Sequence, residues 1–242
     1  MNYSTPAIAR PPNPLVAAGM RALCLPSGLD EEALLELDAV FGDHRRVRKR
    51  SVLYRCGEPF TALYSVSLGT FKTSTLAEDG REQITGYHMS GDIVGLDGIG
   101  EDRHSCEAVA IEDSEVRSLP FEKLETLALR APALRRNLFR LMSRDLCHGQ
   151  DMMLLLGSMR ADERVATFLL TLASRYERRG YSAIEFSLRM TRQEIASYLG
   201  LKLETVSRVF SHLHEQGLIQ VQGRAVKLLD LAALHCLAGH GD

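Results

Sequence analysis

No stretch of this 242-residue chain approaches the ~20 consecutive apolar residues that a membrane span needs. The N-terminus, M-N-Y-S-T-P-A-I-A-R-P-P-N-P, lacks the charged start and apolar core of a signal peptide, so a cytoplasmic protein is expected, with no membrane partner. Cysteine is scarce and scattered. The five residues, at 24, 56, 106, 147 and 236, are odd in number and far apart, which fits free thiols in a reducing compartment rather than a disulfide framework. Strong charge of one sign is also missing. A net charge of −2 argues against a histone-like protein that binds DNA without regard to sequence. The chain has no recognisable Ser/His/Asp set, close His/Cys metal spacing or phosphate loop, and its eight histidines are dispersed. An enzyme, a metal site and a bound cofactor are therefore not expected.

The most informative stretch is Met190–Gln216, M-T-R-Q-E-I-A-S-Y-L-G-L-K-L-E-T-V-S-R-V-F-S-H-L-H-E-Q. Thr191 followed three residues later by Glu194 is a capping box. Ile195, Tyr198 and Leu199 repeat at helical spacing, and Gly200 can adopt the left-handed conformation that ends a helix. A second helix is expected from about Lys202 to Gln216. Its apolar stripe is Leu203, Val206, Val209, Phe210 and Leu213. The opposite face carries Lys202, Glu204, Thr205, Ser207, Arg208 and Ser211, groups able to reach base edges and phosphates. Two helices joined by a tight glycine turn, the second polar on one face, make a helix-turn-helix. Leu218–Val221 and Ala225–Leu229 around Gln222-Gly223-Arg224 read as a hairpin, which gives the winged form. From Arg189 to Lys227 there are six basic residues and three acidic ones, so positive charge gathers where nucleic acid would lie. Thr191 and Arg192 are assigned to the same DNA-binding surface as Lys202, Glu204, Thr205, Ser207 and Arg208. The alternative is an ordinary helical bundle joined at Gly200.

The rest of the chain has a different texture. Residues 1–22 are rich in proline and small residues and read as a flexible arm. Gly28–Phe41 reads as an amphipathic helix with Asp30 as its cap and Leu34, Leu37 and Val40 buried. The basic run in Asp43–Arg50 reads as a solvated strand edge, with a DNA contact as the alternative. From Ser51 to about Pro120, short alternating segments punctuated by glycine predict an antiparallel barrel or roll. Phe121–Arg130 is a short helix. Pro132 then opens a helix to about Met159, near 27 residues and roughly 40 Å long. Phe139, Met142, Leu146, Gly149, Met153 and Leu156 recur at spacings of three and four, close to a heptad seam. A second apolar face, Leu134, Leu138, Leu141 and Leu155, would pack on the roll. Two apolar faces need two partners, and the second is expected to be the same helix of another subunit; the alternative is burial inside one large domain. Asp162 is expected to cap a further helix to Arg179, Ile184–Leu188 to form a strand, and Leu229–Ala238 to form a terminal helix. The fold class is thus α+β: an N-terminal antiparallel β-roll (23–130), a long dimerisation helix (131–159) and a C-terminal winged helix-turn-helix (160–242).

From about Leu23 onward this arrangement resembles the CRP/FNR family of bacterial transcription regulators, and within it the branch of the fumarate and nitrate reduction regulator. The stretches G-Y-H-M-S-G-D-I-V-G-L-D-G-I-G, G-Q-D-M-M-L-L-L and M-T-R-Q-E-I-A-S-Y-L-G-L-K-L-E-T-V-S-R carry the resemblance. It implies a cyclic-nucleotide-binding-like roll and a homodimer that binds double-stranded DNA and contacts RNA polymerase, the latter through the loop Glu78-Asp79-Gly80-Arg81. It also implies operator reading by an E-x-x-S-R motif, here Glu204, Ser207 and Arg208, on an inverted pair of TTGAT half-sites. Glutamate can accept from cytosine N4, and arginine can fork onto guanine.

Departures from the family bear on the signal. Members that bind cyclic AMP use a Gly-Glu-Leu stretch and an Arg-Ser pair; here the matching residues are Gly95-Leu96-Asp97 and His104-Ser105, with Arg103 adjacent. Oxygen-sensing members hold an iron–sulfur cluster on four cysteines. Cys24 matches one of these, the two upstream positions are not cysteine, and the fourth is Arg117. The expectation is a regulator without a cluster that is active in air, with Cys24 as the candidate redox residue. The rival is an oxygen- or redox-responsive regulator using a non-standard cluster, a haem or cysteine oxidation.

Overall fold

The computed structural model describes residues 31–77 and 80–239. The expected arm, Asp30 and Cys24 lie outside the described residues, as do Glu78 and Asp79. The chain divides into two compact units. The first takes residues up to Phe71 together with Tyr87–Met142, and the second takes Lys72–Gly86 together with Ser143–Asp242.

In the first unit, helix α1 (Glu31–Val40) precedes strands β1 (His44–Val47), β2 (Val52–Tyr54) and β3 (Ala62–Leu68). Strands β4 (Thr70–Leu76) and β5 (Glu82–Met89) are divided between the two units, and β6 (Ile93–Val94), a 3-10 turn at Leu96–Gly98, β7 (Glu107–Ala110) and β8 (Ser114–Pro120) follow in the first. Two four-stranded sheets result, in the orders β1-β8-β3-β6 and β2-β7-β4-β5, and the registered pairs are antiparallel. The period-two pattern explains how one sheet is covered on both faces. On β3 and β8, Leu63 and Leu119 join a core with Leu37, Phe41, Leu124 and Leu134. Val66 and Val116, an odd number of residues away along each strand, join a separate core with Leu53, Phe71 and Ala108. Strand β1 lies at a sheet edge with only Val47 buried, so the basic run is the solvated edge that its charge suggested.

Helix α2 (Phe121–Arg130) leads into α3 (Pro132–Ser158), which is 27 residues long. Leu134, Leu138 and Leu141 pack into the core of the first unit. Leu155 is buried too, but it belongs to the second unit. The expectation that all four pack on the roll is corrected: a helix of roughly 40 Å passes from one unit into the next.

The second unit holds α4 (Ala161–Glu177), β9 (Glu185–Ser187), α5 (Arg192–Leu199), α6 (Leu203–Glu215), β10 (Ile219–Gln222), β11 (Ala225–Leu228) and α7 (Leu231–Leu237). The cap of α4 is Arg160, whose backbone N–H donates to the Glu163 carboxylate, and Asp162 stands inside the first turn. An acid in the first turn is favoured by the helix dipole as well as at the cap, and the two look alike in sequence. The wing is also larger than a hairpin. Strand β9 pairs with β11, giving the order β10-β11-β9, with Val226 opposite Phe186. Among the described residues no helix is long and apolar enough to cross a membrane.

Candidate nucleic-acid interface

The helix-turn-helix is built by local chemistry. Thr191 takes the extended N-cap conformation. Its backbone N–H donates to Glu194 Oε2 at 2.7 Å, and the Glu194 N–H donates back to Thr191 Oγ1 at 3.2 Å. Two otherwise orphaned donors are thereby satisfied. Helix α5 ends at Gly200, whose φ of 60° is left-handed, and the Leu201 N–H closes the turn on the Ala196 carbonyl at 2.9 Å. A residue with a Cβ at that φ is strained, which is why glycine stands there.

Helix α6 buries Val206, Phe210 and Leu213. Leu203, the first residue of the expected stripe, is exposed, because the buried arc begins one turn later at Val206. On the other face Lys202, Glu204, Ser207 and Arg208 are exposed and Thr205 is partly so. Among the described residues none of these side chains makes a hydrogen bond or ion pair, in contrast to charged groups elsewhere in the unit such as Lys72 and Glu82. Glu204, Ser207 and Arg208 are three and four residues apart and therefore share one face. Lys202 is the N-cap of α6 and supplies no side-chain cap, and Glu204 is the acid in the first turn, at the positive end of the helix dipole.

Arg192 differs from the other residues assigned to this surface. Its guanidinium lies over the Phe210 ring, with Cζ 3.4 Å from the centroid, and burial lowers its pKa to about 10. The structure gives it to the packing of α5 on α6. Thr191, for its part, is committed to the capping box. Three further features escaped the sequence. Ser197 on α5 donates through Oγ to the Glu82 carbonyl at 2.9 Å and accepts from the Ile84 N–H at 3.0 Å. Lys72 bridges Glu82 at 2.8 Å and approaches Glu194 at 3.8 Å. Arg164 holds the ends of two helices through the Leu156 and Leu199 carbonyls. A lone serine, lysine or arginine carries no periodic signal, so only the three-dimensional partner reveals such a role.

The seam of α3 is largely bare in the single chain. Phe139 is 61% exposed, Leu146 66% and Met153 75%, with Met142 less so. A Cβ added at Gly149 would meet nothing within 4 Å. Leu156 departs from the pattern: it is half-buried, at the junction with α5, where the Gly200 backbone leaves room for its side chain.

In the roll, Asp97, His104 and Arg103 bond or stack with this chain's own groups. Asp97 accepts from the backbone N–H of Ser105 at 2.9 Å, from that of Cys106 at 3.3 Å and from the Tyr54 hydroxyl at 3.1 Å. The His104 ring stacks on Tyr54 at 3.6 Å, and Arg103 donates to the Gly57 carbonyl at 2.8 Å. Burial pushes the Cys106 thiol well above its usual range, which makes it a poor nucleophile. Arg117 donates to Asp38 Oδ1 at 2.8 Å and to the Gly42 carbonyl, with its guanidinium 4.8 Å from the Phe41 ring centre. Arg117 is therefore a fixed cation in an ion pair, and its guanidinium has no thiolate to offer a metal.

Comparison with known proteins agrees with this architecture. The Crp-like helix-turn-helix domain matches residues 163–237, and the cyclic nucleotide-binding domain matches residues 44–131. The transcriptional activator protein Anr of Pseudomonas protegens is 46% identical over 217 residues, covering 90% of this chain and 89% of that protein. The fumarate and nitrate reduction regulatory protein of Salmonella typhimurium is 41% identical over 218 residues, covering 90% and 87%. The structure of FixK2 from Bradyrhizobium japonicum superposes with a TM-score of 0.74 at 39% identity, covering 81% of this chain and 96% of that one. A roll, a long helix and a winged helix-turn-helix, matched along nine-tenths of the sequence, make this chain a DNA-binding transcription regulator of the CRP/FNR family.

Proposed function

We propose that the protein acts as a homodimer on an inverted repeat of TTGAT-type half-sites and binds it in air, without an iron–sulfur cluster or a cyclic nucleotide. The observation that carries this reading is the free face of α6. Four exposed polar side chains without partners among the described residues, Lys202, Glu204, Ser207 and Arg208, stand opposite a fully buried apolar arc. In the major groove Arg208 would fork onto guanine O6 and N7, Glu204 would accept from cytosine N4, and Ser207 would serve either strand. Lys202 and the first-turn N–H groups would meet phosphate. The exposed seam Phe139, Met142, Leu146, Gly149 and Met153 supplies the apolar surface for a second copy, and a two-fold dimer is what an inverted repeat requires. Contact with RNA polymerase through the loop around Gly80 and Arg81 belongs to the same reading.

The absence of a cluster is supported by donor chemistry. Arg117 is held by Asp38, and Cys24 is the single cysteine before residue 56. Aerobic purification, iron and sulfide assays, and titration of a TTGAT inverted-repeat duplex with and without oxygen test the proposal. The expected result is no stoichiometric iron and the same affinity in both atmospheres. A stoichiometric cluster with air-sensitive binding refutes it and favours an oxygen-responsive regulator. A fall in affinity on peroxide treatment that dithiothreitol reverses points to cysteine oxidation as the signal.

A further inference from the structure

The carbonyls in the last turn of a helix have no partner within the helix. Two such helix ends converge on one side chain. Helix α3 finishes at Ser158 and α5 at Leu199. Arg164, in the first turn of α4, donates from Nη2 to the Leu156 carbonyl at 2.9 Å, from Nε to the Met159 carbonyl at 2.8 Å and from Nη1 to the Leu199 carbonyl at 3.0 Å. One planar guanidinium thus ties the end of the long helix, the link beyond it and the end of the first helix of the helix-turn-helix. Its charge also faces the negative ends of two helix dipoles. The fit is close on the other side. A Cβ at Gly200 would come within 3.0 Å of Leu156 Cδ2 and 3.5 Å of Arg164 Nη1, at a φ of +60° that side chains rarely adopt.

We propose that Arg164 is a positioning residue for DNA recognition: it fixes the direction in which the helix-turn-helix leaves the long helix, and so sets the half-site spacing that the regulator accepts. This rests on the reading of the protein as a dimer on an inverted repeat. In such a dimer both recognition helices must enter the major groove at once, and their separation is dictated by the two junctions at the ends of the paired helices. A rigid junction admits one spacing. A slack junction lets each reading head rotate, and operators with neighbouring spacings become acceptable. Lysine offers a point charge without the three-way fork, so it can hold fewer of the carbonyls in place.

The test uses the full-length protein and a series of duplexes carrying the inverted TTGAT repeat, with the half-sites separated by increasing numbers of base pairs. A single half-site duplex and a scrambled duplex complete the set. The wild-type protein, Arg164→Lys, Arg164→Gln and Gly200→Ala are titrated by fluorescence anisotropy, and sedimentation records their oligomeric state. The wild type is expected to show one sharp optimum of spacing. Arg164→Gln should remain dimeric and keep its preference for the half-site over scrambled DNA. Its discrimination between the optimal and adjacent spacings should fall about tenfold, with Arg164→Lys intermediate. Gly200→Ala disturbs the same junction from the opposite side and should broaden the spacing profile likewise, which keeps the proposal testable if the glutamine variant folds poorly. Equal loss of affinity on every duplex in the Arg164 and Gly200 variants would show a role in stability alone and overturn the inference. A wild type that ignores the inverted repeat would instead overturn the dimeric reading beneath it.

Discussion

The guanidinium of Arg192 lies over the ring of Phe210, with Cζ 3.4 Å from its centre, and Nη1 is buried without a hydrogen-bond partner among the described residues. A half-buried pair of this kind stabilises by about 1–2 kcal/mol. Arg192→Ala should therefore lower the denaturant midpoint by an amount equivalent to about 1–2 kcal/mol. Arg192→Met, which keeps the bulk over Phe210, should recover part of the loss. The slope of log affinity against log salt should be unchanged in both. A slope reduced by about one would return Arg192 to the phosphate contacts.

On the free face of α6, specificity and affinity should separate. Arg208→Ala is expected to weaken operator binding by about 1–3 kcal/mol and to relax the preference at the guanine. Lys202→Ala should weaken all sequences alike and lower the salt slope. Anisotropy titrations on operator and random duplexes distinguish the two. An Arg208→Ala protein that loses affinity equally for both would remove Arg208 as a base reader.

Leu146 stands mid-seam and 66% exposed in the single chain. Leu146→Glu would set two carboxylates against each other across a two-fold axis. Sedimentation should show a monomer, and full-site affinity should fall on the order of 10²-fold as avidity is lost. Gly149→Asp should weaken the dimer in the same direction. A dimer of unchanged dissociation constant in both variants would place the interface elsewhere on the surface.

His148 on α3 meets the Tyr198 hydroxyl at 3.5 Å, and its pKa is lowered, first by burial and then by the charge of Arg175, against the opposing pull of Asp145 and Asp151. A depressed imidazole pKa means that the unfolded chain takes up the proton more readily than the folded one. The stability contributed is fully present above the ordinary histidine pKa of about 6.5 and declines as pH falls through that value. Thermal midpoints between pH 5 and 8 should accordingly fall more steeply below about 6.5 for the wild type than for His148→Gln. Parallel profiles for the two proteins would assign the pH dependence to other groups.

Much of the reading head is visible in the sequence because its determinants are local. Thr191 and Glu194 cap within one turn, Gly200 breaks the helix by its own conformational freedom, and Val206, Phe210 and Leu213 repeat at a helical period. What escaped depends on partners far along the chain. Ser197 bonds to backbone more than a hundred residues earlier, and Arg117 on β8 meets Asp38 on α1. Arg164 answers three carbonyls that any sequence would possess. Charge misled at Arg192, where a cation turned inward onto an aromatic ring, and at Asp162, where an acid in the first turn resembled a cap.

The pairing of β9 with β11 also bears on synthesis. Phe186 lies before the two reading helices and Val226 after them, and they face each other in one ladder. The helix pair is therefore bracketed by strands at both ends. As the nascent chain emerges, α5 and α6 can form turn by turn, but β9 has no edge to join until residues 225–228 have cleared the ribosome. The DNA-reading unit is complete only once residues 225–228 are available, and a polypeptide that stops before Ala225 carries both helices without the sheet that closes them.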